Sequence, residues 1–159
     1  MAKKDAFTGA KTASLTLCAF ANVVAKEIGM ERTLGLITKT CEAMGAMQGK
    51  MMKQQAGTKE IDAKAAWSLL RSVSEDLGVT FPVVEESPKR VFIKSGRCPL
   101  YEAAQALGMD AKSIEAGCRA GSNRFDDVLV KQLNPGLSFR LMKFRSAADD
   151  FCEEELVLG

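Results

Sequence analysis

Cys98 is the residue of this chain best suited to chemistry. It precedes Pro99, a residue that suits the first turn of a helix, so its thiol lies at a predicted helix N-terminus. Helix amides and the adjacent Arg97 favour the thiolate there, and a thiolate is a nucleophile or a metal ligand. The alternative is a small buried residue at a strand-to-helix turn, since free cysteine is often buried. Exposure of the side chain decides between the two interpretations.

Two further thiols are expected to meet Cys98. Cys118 lies on the inner face of a predicted helix, and Cys152 lies at the start of the last predicted strand. Elements that share one core pack on each other, so the three thiols are predicted to form one site. Three thiolates completed by a carboxylate or water suit zinc or iron bound by sulfur. No Cys-x-x-Cys pair is present, and both a catalytic and a metal-ligating role for all three remain open.

Polar residues near Cys118 suggest how a substrate is held. Arg119 and Asn123 follow it along the helix, and a guanidinium and an amide together bind a small carboxylate; an exposed polar face is the alternative. Histidine is absent, so a carboxyl group is the expected acid or base. The candidates in this half are Glu102, Glu115, Asp149 and Asp150, with Glu153, Glu154 and Glu155 behind them.

Composition sets the class of protein. The chain has 159 residues, 47% of them apolar and 26% charged, which is typical of a single globular domain. A net charge of only +2, with basic and acidic residues interspersed, argues against nucleic acid as a partner. Five cysteines without an export signal argue against disulfides, and no apolar run reaches membrane-spanning length, so we expect a cytoplasmic protein.

The elements that must position these residues follow from hydrophobic periodicity. The pattern predicts an α+β domain over 1–159, in which a helical portion (1–77) packs on a mixed portion (78–159) that has an antiparallel sheet and two further helices, in two layers. Helices are predicted over Lys11–Ile28, Glu31–Gln55, Ile61–Leu77, Tyr101–Leu107 and Ala111–Leu133, and strands over Val79–Val84, Arg90–Lys94, Leu137–Arg145 and Phe151–Leu158. The first two helices are expected to pair as a hairpin.

Four segments from Cys98 onward resemble a known family. They are Cys98-Pro-Leu-Tyr-Glu-Ala-Ala-Gln-Ala-Leu-Gly, Glu115-Ala-Gly-Cys-Arg, Asn134-Pro-Gly-Leu-Ser-Phe-Arg-Leu-Met-Lys-Phe-Arg and Asp149-Asp-Phe-Cys. In order and content they are similar to the L-2-amino-thiazoline-4-carboxylic acid hydrolase family. Its named member opens the thiazoline ring with water to give S-carbamoyl-cysteine, and many relatives have no assigned substrate. The helical portion, 1–77, matches no family that we can name.

The same half has a fainter resemblance to vinyl-reductase-type small-molecule binding domains. In those domains a cysteine-rich zinc site lies beside a ligand cavity. Cys118 and Cys152 match two of the ligands, whereas Leu141 and Phe144 fall where further ligands are expected. This departure places a copied zinc site in doubt, although Cys98 is available as a different third thiolate.

Three functions follow as hypotheses. The first is a hydrolase of a small carbon–nitrogen or thiazoline-type substrate, with Cys98 as nucleophile or metal ligand. The second is a sensor of a small molecule or metal, without turnover, that forms a homodimer through the helical portion and its methionine-rich second helix. The third is an accessory protein of cysteine or metal–sulfur metabolism that uses its thiols for transfer.

Overall fold

The computed structural model describes residues 2–57 and 60–159 and confirms the α+β class. Within these residues the N-terminal part is helical, and four antiparallel strands form one sheet in the order β1-β2-β4-β3. The helices are α1 (Ala2–Ile28), α2 (Met30–Ala56), α3 (Ala63–Asp76), α4 (Pro99–Ala106), α5 (Ala111–Ala120) and α6 (Ser122–Leu133). The strands are β1 (Val83–Glu86), β2 (Arg90–Ser95), β3 (Leu137–Lys143) and β4 (Cys152–Leu158).

The sheet has one apolar face and one charged face. Alternate residues of β2 and β3 are buried, and in β4 the buried residues are Cys152 and Leu156. On the opposite face of β4, Glu153 and Glu155 form ion pairs with Lys94 and Arg90 of β2. Because side chains alternate along a strand, Glu154 lies on the same face as Cys152 and Leu156. An acidic residue therefore lies on the helix-facing side of an inner strand.

Helices α3 and α6 cover the apolar face. Helix α6 packs on β3 and α3 packs on β2 and β4, and the largest core cluster lies between them. Trp67 of α3 is 2% exposed and meets the ring of Phe81 edge-on at 4.9 Å between centroids. This core fixes β4, and with it Cys152 and Glu154, against the helices.

Four sequence expectations were wrong in detail. The first strand, expected over Val79–Val84, runs over Val83–Glu86. The helix expected over Ala111–Leu133 is two helices, because Gly121 adopts φ −98° and ψ −99° and ends α5. Helices α1 and α2 touch each other, but α1 packs mainly on α4 and α2 mainly on α6, so they do not form the expected hairpin. Strand β3 ends at Lys143 rather than at Arg145, which lies in the loop before β4.

Two glycines bring α2 close to α6. Gly45 and Gly49 are buried. A Cβ atom added at Gly45 would lie 2.5 Å from the carbonyl oxygen of Phe125, and one added at Gly49 would lie 2.6 Å from that of Leu129. A Cβ atom added at Gly121, at the break between α5 and α6, would make only ordinary contacts with the side chains of Ile37 and Cys41 of α2, at 3.5 and 3.9 Å. Glycine is therefore required at Gly45 and Gly49, where the backbones approach, as in small-residue helix packing.

The outer faces of α1 and α2 are apolar. Seven large apolar side chains, each at least 50% exposed, lie on these two helices: Leu17, Phe20, Val23, Leu36, Met44, Met47 and Met51. No helix in the described part of the chain is both long enough and apolar enough to cross a membrane.

The α2–α6 contact predicts opposite effects for alanine at different glycines of α2. Gly45→Ala and Gly49→Ala should each lower the free energy of unfolding by about 1–3 kcal/mol, because the added Cβ meets backbone that cannot rotate away. Gly35→Ala should raise it by about 0.5–1 kcal/mol, because Gly35 is exposed and a Cβ there has no neighbouring atom within 4 Å. Urea denaturation measures all three variants, and equal effects at Gly35 and Gly45 would refute the close packing.

Candidate functional site

The three predicted cysteines come together, and a fourth joins them. Cys98 is the N-cap of α4, Cys118 lies in the last turn of α5, and Cys152 begins β4 opposite Ser95. Cys98 and Cys152 each lie close enough to Cys118 for a negative charge on them to affect its pKa, and so does Cys18 of α1. Cys18, Cys98 and Cys118 also share an apolar cluster with Tyr101 and Phe144. We call Cys18, Cys98, Cys118 and Cys152 the thiol cluster; all five cysteines of the chain are free.

Cys98 does not have the environment of a low-pKa thiol. Burial raises its pKa, and this effect outweighs the opposing influence of the Tyr101 and Leu100 amides and of the Arg145 charge. Arg97, the expected partner, lies elsewhere: its Nε donates to Glu102 at 2.7 Å and its guanidinium lies 3.6 Å from the centroid of the Phe7 ring. The expectation of a thiolate favoured by Arg97 was therefore wrong.

Cys118 is also held in the thiol form. Burial raises its pKa, and the neighbouring Cys98, Cys152 and Glu154 act in the same direction, because a negative charge at any of them opposes a thiolate at Cys118. Cys98 and Cys118 are therefore uncharged thiols at neutral pH. Both side chains nevertheless retain some accessible surface.

Arg145 is the buried cation of this region. It is 3% exposed, and its Nε donates to Cys152 Sγ at 3.4 Å. Its Nη2 donates to the backbone oxygen of Ser95 at 2.9 Å and to that of Gly96, and its Cζ lies 4.8 Å from the centroid of the Tyr101 ring. No pattern in the sequence indicated that Arg145 is buried, because an arginine before a polar loop is usually at the surface.

Two carboxyl groups lie behind the thiols. Glu154 Oε2 accepts a hydrogen bond of 2.5 Å from Ser95 Oγ. Asp126 lies on the same side of α6 as Leu129 and Val130, three and four residues further on, which are core residues. Burial raises the pKa of both carboxyls, and the charge of Glu154 raises that of Asp126 further. Helical periodicity could have identified Asp126, which the sequence analysis missed.

This carboxyl pair is the group of the site best suited to proton transfer. A carboxyl whose pKa moves toward neutrality exchanges a proton more readily near pH 7, and paired carboxyls divide into an acid and a base. The other carboxyl candidates do not share this environment. Arg97 and Lys11 lower the pKa of Glu102, the amides and hydroxyl of the β3–β4 loop lower that of Asp150, and Glu115 pairs with Arg119.

The expected substrate-binding residues have different environments. Arg119 is exposed, and its guanidinium bonds Glu115 at 2.8 Å and the Leu141 carbonyl oxygen at 3.2 Å, so its charge is already paired. Asn123 lies one helical turn before Asp126, and its side-chain amide nitrogen is buried without a hydrogen-bond partner in the part of the chain that the structure describes. Asn123 therefore has a free donor, whereas Arg119 does not present a free charge.

A metal does not fit the thiol cluster as it stands. Among residues 2–57 and 60–159 no group of three or more Cys, Asp or Glu side chains has the arrangement of a metal site. The metal-ligating alternative for Cys98, Cys118 and Cys152 thus has no support in the geometry of these side chains, and we assign no step to zinc or iron.

A surface cleft lies away from this site. It has a volume of about 450 Å³ and lies between the end of α1 and the turn from α4 to α5. Its lining includes Asn22, Lys26, Met109, Asp110 and Ser113, and none of the predicted site residues.

Comparison with known families settles the class of the chain. The sequence model described as L-2-amino-thiazoline-4-carboxylic acid hydrolase matches residues 10–154. The chain belongs to this family. The match extends the resemblance seen from Cys98 onward to most of the helical portion, which the sequence analysis had left unassigned. It does not show the fainter resemblance to vinyl-reductase-type domains.

Other comparisons address the fold only. No curated protein matches the chain. The crystal structure of the phenol-responsive sensory domain of the transcription activator PoxR, solved with phenol, has a TM-score of 0.59 at 13% identity and covers 91% of this chain and 74% of that one. This family member therefore shares its fold with a small-molecule sensory domain.

The raised pKa of the half-buried Asp126 predicts an unusual pH dependence of stability. Its folded pKa is raised, so above its ordinary pKa the folded protein keeps a proton that the unfolded chain has lost. The free energy of unfolding should therefore fall as pH rises from about 4 toward the folded pKa. Urea denaturation of Asp126→Asn from about pH 4 to about pH 8 should show a shallower fall than the wild type. Asp149→Asn, at an exposed loop residue, is the control, and equal slopes for all three proteins would contradict the raised pKa of Asp126.

Proposed function

We propose that the chain hydrolyses a carbon–nitrogen bond of a small thiazoline-type molecule held at the thiol cluster. The observation that carries this proposal is the convergence of Cys98, Cys118 and Cys152 from two helices and a strand, beside a half-buried carboxyl pair, in a member of this hydrolase family. Cys98, Cys118 and Cys152 contact the substrate, and Asn123 supplies its free amide donor.

The proposed reaction is addition of water followed by ring opening. The water oxygen bonds to the ring carbon between sulfur and nitrogen, and one proton goes to the ring nitrogen. The bond from that carbon to the ring nitrogen then breaks, the second proton also moves to the nitrogen, and the product is a thiocarbamate with a free amine. In a chain without histidine, Glu154 and Asp126 relay these two protons.

The experiment uses L-2-amino-thiazoline-4-carboxylic acid as substrate and mass spectrometry to detect S-carbamoyl-cysteine. Cys98→Ser, Cys118→Ser and Cys152→Ser should each lower turnover by about 10-fold or more, because a hydroxyl differs from a thiol in size and polarity. Ser72→Ala, at an exposed serine of α3 that takes no part in the proposed site, is the control and should retain activity. Absence of product from folded wild-type protein would refute the proposal for this substrate.

A second candidate function is ligand sensing without turnover. The thiols and carboxyls lie deep between the helices and the sheet, and the fold is that of a domain solved with phenol. A small molecule enclosed there would contact α1, α5 and β4 at once and could alter how the helices pack. Tight binding of the thiazoline acid with no product, together with a change in size on binding, would favour sensing over hydrolysis.

In either role we propose a cytoplasmic homodimer formed through the outer faces of α1 and α2. The seven exposed apolar side chains on these helices form a larger apolar surface than single scattered residues would, and such surfaces mark interaction sites. A second copy of the chain presents the same surface, so a two-fold symmetric contact brings the same apolar residues of both copies together.

The dimer predicts a change in mass for one α2 variant. Met47→Glu should give a monomer by light scattering, because a carboxylate would be buried in the contact. Lys53→Gln, elsewhere on the exposed surface of α2, changes the net charge by the same amount and should leave the dimer intact. A monomeric wild type, or equal masses for wild type and Met47→Glu, would contradict this interface.

A further inference from the structure

Arg145 carries a positive charge that no described carboxylate offsets directly. The residue is 3% exposed, and no carboxylate of the described residues forms an ion pair with its guanidinium, although Glu154 lies near enough for the two charges to interact. Its hydrogen bonds go to two backbone carbonyls and to Cys152. Arginine stays protonated in proteins, and an unpaired buried charge is costly. The fold therefore maintains a cation here at an energetic cost.

The groups around Arg145 are mostly neutral. Burial raises the pKa values of Cys98, of Cys118 and of the Glu154 carboxyl, and the opposing effect of the Arg145 charge on Cys98 and Glu154 is smaller. Tyr101 presents the face of its ring. A buried cation among protonated thiols and carboxyls is electrostatically suited to an anion.

One nitrogen of the guanidinium is free. Nε and Nη2 donate to groups of the protein, whereas Nη1 has no hydrogen-bond partner among the described residues. Nη1 is also not one of the fully buried polar atoms without a partner, so it keeps some accessible surface. Three other arginines of the C-terminal half are engaged by acids: Arg97 by Glu102, Arg119 by Glu115 and Arg124 by Glu42. Arg145 thus differs from them in both burial and pairing.

We infer that Arg145, and not Arg119, binds the carboxylate of the substrate. The inference rests on the proposed function and narrows its substrates to small carboxylic acids. The carboxylate accepts a hydrogen bond from Nη1, and the contact of Arg145 with Cys152 places the rest of the molecule within the thiol cluster. Arg145 selects the carboxylic acid and positions it, so that the thiols and carboxyls of the site contact the ring of the substrate.

The test compares two ligands that differ only in the carboxylate. L-2-Amino-thiazoline-4-carboxylic acid and the same ring without the acid, 2-aminothiazoline, are titrated into the full chain by calorimetry. Wild type should bind the acid about 100-fold more tightly, as expected for a buried charge pair. Arg145→Met should lose most of this preference while it keeps the affinity for 2-aminothiazoline. Arg119→Met should keep the preference.

Arg145→Lys separates recognition from folding. It retains a positive charge to hold the local structure but lacks the planar fork, so we expect a folded protein with a smaller preference for the acid. A merely structural arginine would alter stability and leave the ratio of the two affinities unchanged. Equal affinities in the wild type, or loss of the preference in Arg119→Met alone, would overturn the inference. Preferential binding of the acid without its hydrolysis would leave the inference standing and refute the proposed reaction.

Discussion

The buried guanidinium of Arg145 fixes the chain segments on which this site depends. It holds the end of β2 through the Ser95 and Gly96 carbonyls, and it holds the start of β4 through Cys152. It also lies against Tyr101 of α4, the helix that Cys98 caps. Because a buried cation must have its donors satisfied, these segments cannot separate without a large cost. The positions of Cys98, Cys152 and Glu154 follow from this constraint.

The close packing of α2 on α6 provides the second constraint. Gly45 and Gly49 allow the two backbones to touch, and Gly121 interrupts the helical run where it meets α2. Helix α5 therefore ends with Cys118 directed into the thiol cluster, while α6 presents Asp126 and the core residues to the sheet. In a continuous straight helix over 111–133, each residue is rotated from the one before it by the same angle. The directions of the Cys118 and Asp126 side chains could then not be set independently.

Much of this architecture could be predicted from the sequence. Periodicity gave the long helices, and the change to β-branched segments gave the strands, since both signals come from burial of one face. Cys98, Cys118 and Cys152 could be chosen from the sequence as candidates for one site, but their convergence could not be derived, because it depends on how distant elements pack. The break at Gly121 could not be derived either, because a glycine inside a helical pattern is usually tolerated and only contact with α2 favours the break.

Burial of charged residues was the main feature that the sequence did not reveal. Arg145 and Asp126 have the residue types of a surface, and their environment exists only after distant segments pack around them. The pKa of Cys98 was misjudged for the same reason: helix amides lower it, but the depth of the site raises it more. In a site without histidine, this depth is what makes carboxyl groups useful near neutral pH.

A crystal structure of the protein with L-2-amino-thiazoline-4-carboxylic acid bound tests the central claim most directly. The account predicts that the carboxylate lies on Arg145 and that the ring lies beside Cys98, Cys118 and Cys152. A molecule bound instead in the cleft lined by Asn22, Lys26 and Ser113 would contradict the account, because the thiol cluster would then be part of the core and not the ligand site.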